Sequence, residues 1–185
     1  MTAGIVIIVI VAIIAIWFIA TYNKIVKLNN RVDNAWAQID VQLQRRYELV
    51  PRLVEVVRAY AEHETNTLTK VVDARKLAME ANNIESRKKA EGNLSGALHT
   101  LLALAEAYPE LKANLNFSQL QMQLAETEDK ISYMRQSYND TVMRFNTAIE
   151  SFPANIVANL FKFTKCNPFD AASGADMAPQ VKFGD

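Results

Sequence analysis

The chain has one cysteine, two histidines, five prolines and five glycines in 185 residues, and its formal net charge is zero. The single thiol, Cys166, cannot close an internal disulfide and cannot by itself hold a zinc ion. So few histidines leave little room for transition-metal chemistry. His63–Glu64 begins like the H-E-x-x-H pattern, in which two histidines one helical turn apart share zinc, but position 67 is Thr67. The inward-facing Glu-x-x-His pairs of di-iron bundles are missing too, since Tyr60 and Gly96 stand three residues before His63 and His99. There is no G-x-S-x-G and no glycine-rich phosphate loop. No catalytic, cofactor-binding or metal-ligating residue is therefore assigned, and the expectation is a protein that is not an enzyme and takes no cofactor. Zero net charge hides a split: residues 24–60 carry seven basic and four acidic side chains, net +3, and residues 61–185 carry thirteen and sixteen, net −3. Neither half is basic enough to suggest nucleic acid.

What the chain has instead is an uncharged stretch, GIVIIVIVAIIAIWFIA, at residues 4–20. With its edges it approaches the ~20 helical residues that cross a ~30 Å hydrocarbon core. A cleaved signal peptide is the rival reading. Against it, no Lys or Arg precedes the run, the run is long for such a segment, and Phe18 is bulky where cleavage after Ala20 needs a small residue. The expectation is an uncleaved anchor over residues 1–23, with Trp17 and Tyr22 at the aromatic belt and Lys24, Lys27 and Arg31 reaching headgroups. Because the nearby positive charge follows the segment, the C-terminal domain is expected in the cytoplasm.

The rest reads as helix, in an all-α chain. Apolar residues Ile25, Leu28, Val32, Ala35, Trp36, Ile39, Leu43, Val50, Leu53, Val54, Val57, Ala61, Leu68, Val71 and Val72 follow helical spacings, mostly of three and four with seven at two places. Pro51 must kink this helix or begin a new one, and Asn82 and Asn83 mark its end. A further helix from about Glu85 carries Leu94, Leu98, Leu101, Leu102 and Ala105 on one face and stops at Tyr108–Pro109. Asn116 and Gln119 resemble a capping box for the last long helix. There Phe117, Leu124, Ile131, Tyr138, Phe145 and Phe152 form a heptad row, with Leu120, Thr127, Met134, Thr141 and Ala148 as a second row, in the manner of a coiled coil. Glu126, Glu128, Asp129, Lys130, Arg135 and Asp140 fall off that seam and read as a solvated face. Pro153 ends the helix, ANIVANLFKF makes one more amphipathic turn, and residues 164–185 are expected to be a flexible tail.

Some polar and small residues lie on or near the apolar rows. Thr127, Tyr138 and Thr141, with Asp40, Arg45 and Arg46 on the first helix, suggest a polar layer that fixes helix register, since buried polar groups need partners. Gly92 and Gly96 have the G-x-x-x-G spacing and read as a close helix contact.

The segment YNKIVKLNNRVDNAWAQIDVQLQRRYELVPRLVEVVRAYAEHE, followed in order by LLALAEAYPELKAN, NFSQLQMQLAETEDKI, YNDTVMRFN and FPANIVANLF, resembles the LemA family of bacterial membrane proteins over about residues 24–163. The resemblance implies one membrane helix followed by an antiparallel four-helix bundle. It supplies no active site, because the family has no established enzymatic activity. Members are encoded near membrane-linked peptidases and TPM-type proteins, and one branch belongs to magnetosome membranes, which points to envelope organisation by association only.

Three functional readings follow. The first is a single-pass, membrane-anchored helical scaffold that self-associates as a homo-oligomer or binds other membrane proteins as well as membrane lipid. Trp36 belongs to its core, and Tyr133, off the seam, is its candidate surface contact. The second is a metal site or enzyme built from Glu62, Glu64, Glu106 and Glu126. The third is a lipid-surface module, with Lys24, Lys27, Arg31, Arg45 and Arg46 on anionic headgroups and Phe161, Phe163 and Phe169 dipping in.

Overall fold

The computed structural model describes residues 2–169, and among them every regular element is helical. α1 (Thr2–Arg58) is followed by α2 (Thr65–Glu80), α3 (Ile84–Ala103), a 3-10 turn (Leu104–Glu106), α4 (Pro109–Lys112), α5 (Leu115–Glu150) and α6 (Ala154–Leu160). The first part of α1 is long and apolar enough to cross a membrane, and none of its apolar side chains is buried by protein.

α1 runs without interruption through Pro51, so the proline does not split it. The break comes instead after Arg58, where Tyr60 N–H and Ala61 N–H both return to the Val57 carbonyl and the chain turns before α2. The apolar steps fail at this place. Between the buried Ala61 and Leu68 there is no apolar residue at 64 or 65 to continue the stripe, and Glu62, His63 and Thr65 are exposed. Asn83 opens α3 rather than closing the helix before it: its side chain accepts Ser86 N–H at 2.8 Å while Ser86 Oγ accepts Asn83 N–H at 3.3 Å, a reciprocal cap. Asn114, two residues before the expected Asn116, caps α5 by accepting Phe117 N–H at 3.1 Å, and it donates to Tyr60 Oη at 2.9 Å.

The described chain forms two compact units, one from Met1–Gln38 with Met134–Pro168 and one built on Ile39–Tyr133. In the second unit four helical segments each bury one stripe. These are Ile39, Leu43, Val50, Leu53 and Val57 of α1; Leu68, Val71 and Ala78 of α2; Leu94, Leu98 and Leu101 of α3; and Phe117, Leu124 and Ile131 of α5. α2 and α3 pack on one another. Arg87 donates to the Ala81 carbonyl at the end of α2 and pairs with Asp40 of α1.

In the first unit, Trp36 is half-buried and meets the ring of buried Tyr138 edge-on at 5.5 Å. The first heptad row holds from Phe117 to Phe145, but Phe152 lies beyond the end of α5 and is 81% exposed. The second row holds at Leu120 and Thr127, and then burial passes one residue on, to Val142 and Ile149 in place of Thr141 and Ala148. A straight helix drifts by ~20° per heptad against a strict seven-residue repeat, and over three to four heptads that drift moves the buried stripe most of one residue.

After α6, Lys162 takes a left-handed φ of 57°. Phe163 N–H reaches the Ala158 carbonyl at 3.0 Å and Lys162 N–H the Asn159 carbonyl at 3.2 Å, the two bonds of a Schellman stop. The chain is then fastened to α5. Asn146 donates to the Cys166 carbonyl at 2.9 Å and accepts its N–H at 3.0 Å, Tyr138 Oη donates to the Asn167 carbonyl at 3.1 Å, and Lys165 pairs with Glu150. The flexible tail expected from 164 therefore does not begin there: residues 165–167 are hydrogen-bonded in place and Phe169 is buried. Its remainder, 170–185, lies outside the described residues.

Candidate functional site

Two places concentrate polar chemistry, one inside each unit. In the second unit, Arg46 and Glu91 occupy stripe positions on α1 and α3, at helical steps from Leu43 and Val50 and from Leu94 and Leu98, so folding buries both. Arg46 lies 3.4 Å from Glu91 and 2.9 Å from half-exposed Glu128 of α5, and donates to Ser95 Oγ at 2.6 Å. Tyr47 Oη donates to the other oxygen of Glu91. Burial, reinforced by that carboxylate, pushes the Tyr47 phenol above its ordinary range, so it remains a donor. Arg75 of α2 donates from Nε to the Tyr47 carbonyl at 2.7 Å. Beside this network Ser95, Leu98, His99, Leu102, Leu124 and Glu128 line a cleft of about 250 Å³. The network joins α1, α2, α3 and α5 with its charges opposed, which suits a register-fixing layer. Of the residues that the sequence assigns to such a layer, Arg46 is in it. Glu91, Ser95 and Tyr47 join it without having been singled out by the apolar rows, although a glutamate one helical step from Leu94 is a legible signal.

The other polar residues near the seam are satisfied elsewhere. Asp40 is exposed and pairs with Arg87, and Arg45 is exposed. Thr127 Oγ1 donates to the Gln123 carbonyl at 2.7 Å and Thr141 Oγ1 to the Ser137 carbonyl at 2.8 Å. Gly92 and Gly96 make no close contact: a methyl group on either would meet nothing within 4 Å, so the close-packing reading is incorrect. The four carboxylates of the metal reading are held apart. Glu106 pairs with Lys112 and Glu126 with Lys130, Glu64 accepts from Tyr108, and Glu62 is exposed. Among the described residues no group of three His, Cys, Asp or Glu side chains comes together.

The first unit presents a different surface. Trp17 is at the margin of exposure and Lys24, Lys27 and Arg31 lie along the same part of α1, while Tyr22 is half-buried with its ring 4.5 Å from Phe161 and 6.2 Å from Phe163. Phe18 is 6.0 Å from Phe161. The end of α6 is thus held beside the end of the apolar run. A groove of about 600 Å³ lies between Trp17, Thr21, Lys24, Ile25 and Leu28 of α1 and the stretch of chain from Met143 to Ala154. Phe161 is 47% exposed, Phe163 is half-buried, and buried Phe169 cannot dip into lipid. Arg46, buried in its network with Glu91, is likewise withdrawn from the set of headgroup-facing cations.

A model of the LemA family matches residues 35–183. Magnetosome protein MamQ of Magnetospirillum gryphiswaldense is 24% identical over 189 residues, covering 86% of this chain and 70% of that protein. Magnetosome protein MamQ 2 of Paramagnetospirillum magneticum is 25% identical over 197 residues, covering 89% and 72%. Protein LemA of Metamycoplasma hominis is 25% identical over 145 residues, covering 76% and 65%. None of these names states an enzymatic activity. The apolar helix, the all-helical body and the match over most of the length agree: the chain belongs to the LemA family.

Proposed function

We propose that this protein is a non-enzymatic, single-pass membrane anchor carrying a helical interaction domain of the bacterial envelope. The apolar run of α1 lies in the inner membrane, and the later part of α1 with α2, α3 and α5 forms an antiparallel four-helix bundle on the cytoplasmic side. The bundle assembles with itself or with other membrane proteins and acts as a scaffold.

The observation that carries this reading is α1 itself. One unbroken helix runs from a stretch with no buried apolar side chain into a stripe with Ile39, Leu43, Val50 and Leu53 fully buried. A protein chain in water gains nothing by exposing so many Ile and Val side chains, and lipid is the solvent that suits them. Lys24, Lys27 and Arg31 follow that stretch and favour the cytoplasmic orientation. The named relatives, two of them magnetosome proteins, support a membrane role.

The test is the mass of the full-length chain in mild detergent, compared with a fragment beginning at Lys24. A defined multimer in both supports a self-assembling bundle. Monomers in both would remove the homo-oligomer and direct the search to a different partner by crosslinking in intact membranes.

A further inference from the structure

Resting on the anchored reading, we infer that the groove beside the apolar run of α1 is a binding site for one anionic phospholipid. Trp17, Thr21, Lys24 and Leu28 follow each other at steps of four, three and four, so they form one face of α1. That face begins inside the apolar run and ends beyond it, so the groove is continuous with the membrane-spanning surface. The opposite wall, from Met143 to Ala154, includes Ala148, Phe152 and Pro153. Phe152 and Met143 are 81% and 62% exposed, apolar surface that water does not stabilise and an acyl chain does.

Charge selects the headgroup. The lining includes two cations, Lys24 and Arg144, and no carboxylate. Neither cation makes an ion pair or hydrogen bond among the described residues, although acidic side chains elsewhere are paired with Lys and Arg. An uncompensated Lys and Arg beside an apolar groove complement a lipid phosphate, the Lys as a point charge and the Arg as a planar fork. The volume, about 600 Å³, admits a headgroup and the first part of its chains.

The experiment uses the full-length protein in mild detergent, with phosphatidylglycerol or phosphatidylcholine added and retained lipid counted by native mass spectrometry. One phosphatidylglycerol per chain is expected, with phosphatidylcholine retained at least tenfold more weakly. Replacing both groove cations, K24Q/R144Q, should weaken retention about thirtyfold, and A148W should block the groove without altering charge. K70Q/K76Q, which removes two exposed cations of α2 outside the groove, should change retention less than twofold. Equal retention by wild type and K24Q/R144Q, or an equal loss in K70Q/K76Q, overturns the site. So does an A148W variant that dissociates an oligomer and keeps its lipid, because the groove would then hold a second copy. Release of the wild-type chain from vesicles by alkaline carbonate would sink the anchored reading and the groove with it; a chain that stays in the vesicles but retains no lipid would sink the groove alone.

Discussion

Arg75 Nε donates to the carbonyl oxygen of Tyr47 at 2.7 Å, and that oxygen is the one Pro51 leaves without an intrahelical donor. In an α-helix the carbonyl at i−4 accepts the N–H of residue i, and proline has none. A cation from α2 fills the vacancy in α1, which helps explain how a 57-residue helix passes through a proline without ending. The same bond ties α2 to α1 beside the buried Tyr47–Glu91 pair.

If Arg75 serves the carbonyl that Pro51 orphans, the two residues are energetically coupled. Arg75→Ala should destabilise by about 1.5–3 kcal/mol, the range for a hydrogen bond to a charged group. In a Pro51→Ala background, where residue 51 again donates to Tyr47, the same change should cost at least about 1 kcal/mol less. Thermal unfolding followed by circular dichroism reads both, and equal costs in the two backgrounds would show that Arg75 contributes something other than this bond.

The buried ion pair gives an ordering. Glu91→Ala strands the Arg46 guanidinium with Glu128 and Ser95 and should cost about 3–5 kcal/mol. Glu128→Ala, at a carboxylate whose side chain is 45% exposed, should cost about 1 kcal/mol. Arg46→Met with Glu91→Leu should recover most of the Glu91→Ala loss, because an apolar pair leaves no buried charge unmatched and half-exposed Glu128 stays solvated. Urea denaturation of the four proteins tests the series; a larger loss for Glu128 than for Glu91 would reverse the assignment.

Why some of this is legible in the sequence and some is not follows from what each feature depends on. The apolar run, the Arg46 position and the row from Phe117 to Phe145 are written in local spacing, and they stand where spacing puts them. The end of α1 carries no Gly or Pro, and the conspicuous breaker, Pro51, lies inside the helix; only the missing apolar residue at 64 or 65 marks the turn. The shift from Thr141 and Ala148 to Val142 and Ile149 depends on helix drift that a strict heptad ignores. Arg144 shows no pattern at all: its place on the groove wall follows from tertiary packing against the Trp17–Leu28 face, not from its neighbours in sequence.

Alkaline pH should loosen the fold, and Tyr47 should be a main cause. Its raised pKa means that both states keep the proton below about pH 10, whereas above it the unfolded chain ionises first. Stability is therefore complete at neutral pH and falls above about 10, by up to about 1.4 kcal/mol per pH unit for each such group. Tyr138, raised chiefly by burial, acts in the same sense, and Cys166, also raised chiefly by burial, begins its contribution from about pH 8.5. Tyr47→Phe should lower Tm at pH 8, through its lost hydrogen bond to Glu91, yet show a smaller further drop at pH 11. Equal drops in the two proteins would remove Tyr47 from the account.

Gly92 and Gly96 lie within α3, and a methyl group at either meets open space. Glycine costs a helix interior roughly 0.5–1 kcal/mol relative to alanine through backbone entropy. Gly92→Ala and Gly96→Ala should each raise stability by about that amount, and the pair should add. A loss of assembly in the stabilised double variant would show that the bare backbone there is a contact surface for a partner helix, and unchanged assembly would leave it a solvent-facing stretch.

Leu115, Met122 and Tyr133 bear on assembly most directly. Separations of seven, eleven and eighteen residues are close to whole helical turns, so the three share one face of α5, and they are 85%, 66% and 73% exposed. Tyr133 makes no hydrogen bond or ring contact among the described residues, so the fold does not depend on its position. Tyr133→Ala should leave helicity unchanged and stability within about 0.5 kcal/mol. If this face is where the bundle meets its partner, the same change should raise the dissociation constant of the assembly about tenfold or more, since a central interface tyrosine contributes about 2 kcal/mol. Sedimentation of wild type and variant over a range of concentrations separates the cases. A variant that melts early makes Tyr133 structural, and one that associates as wild type does moves the contact off this face.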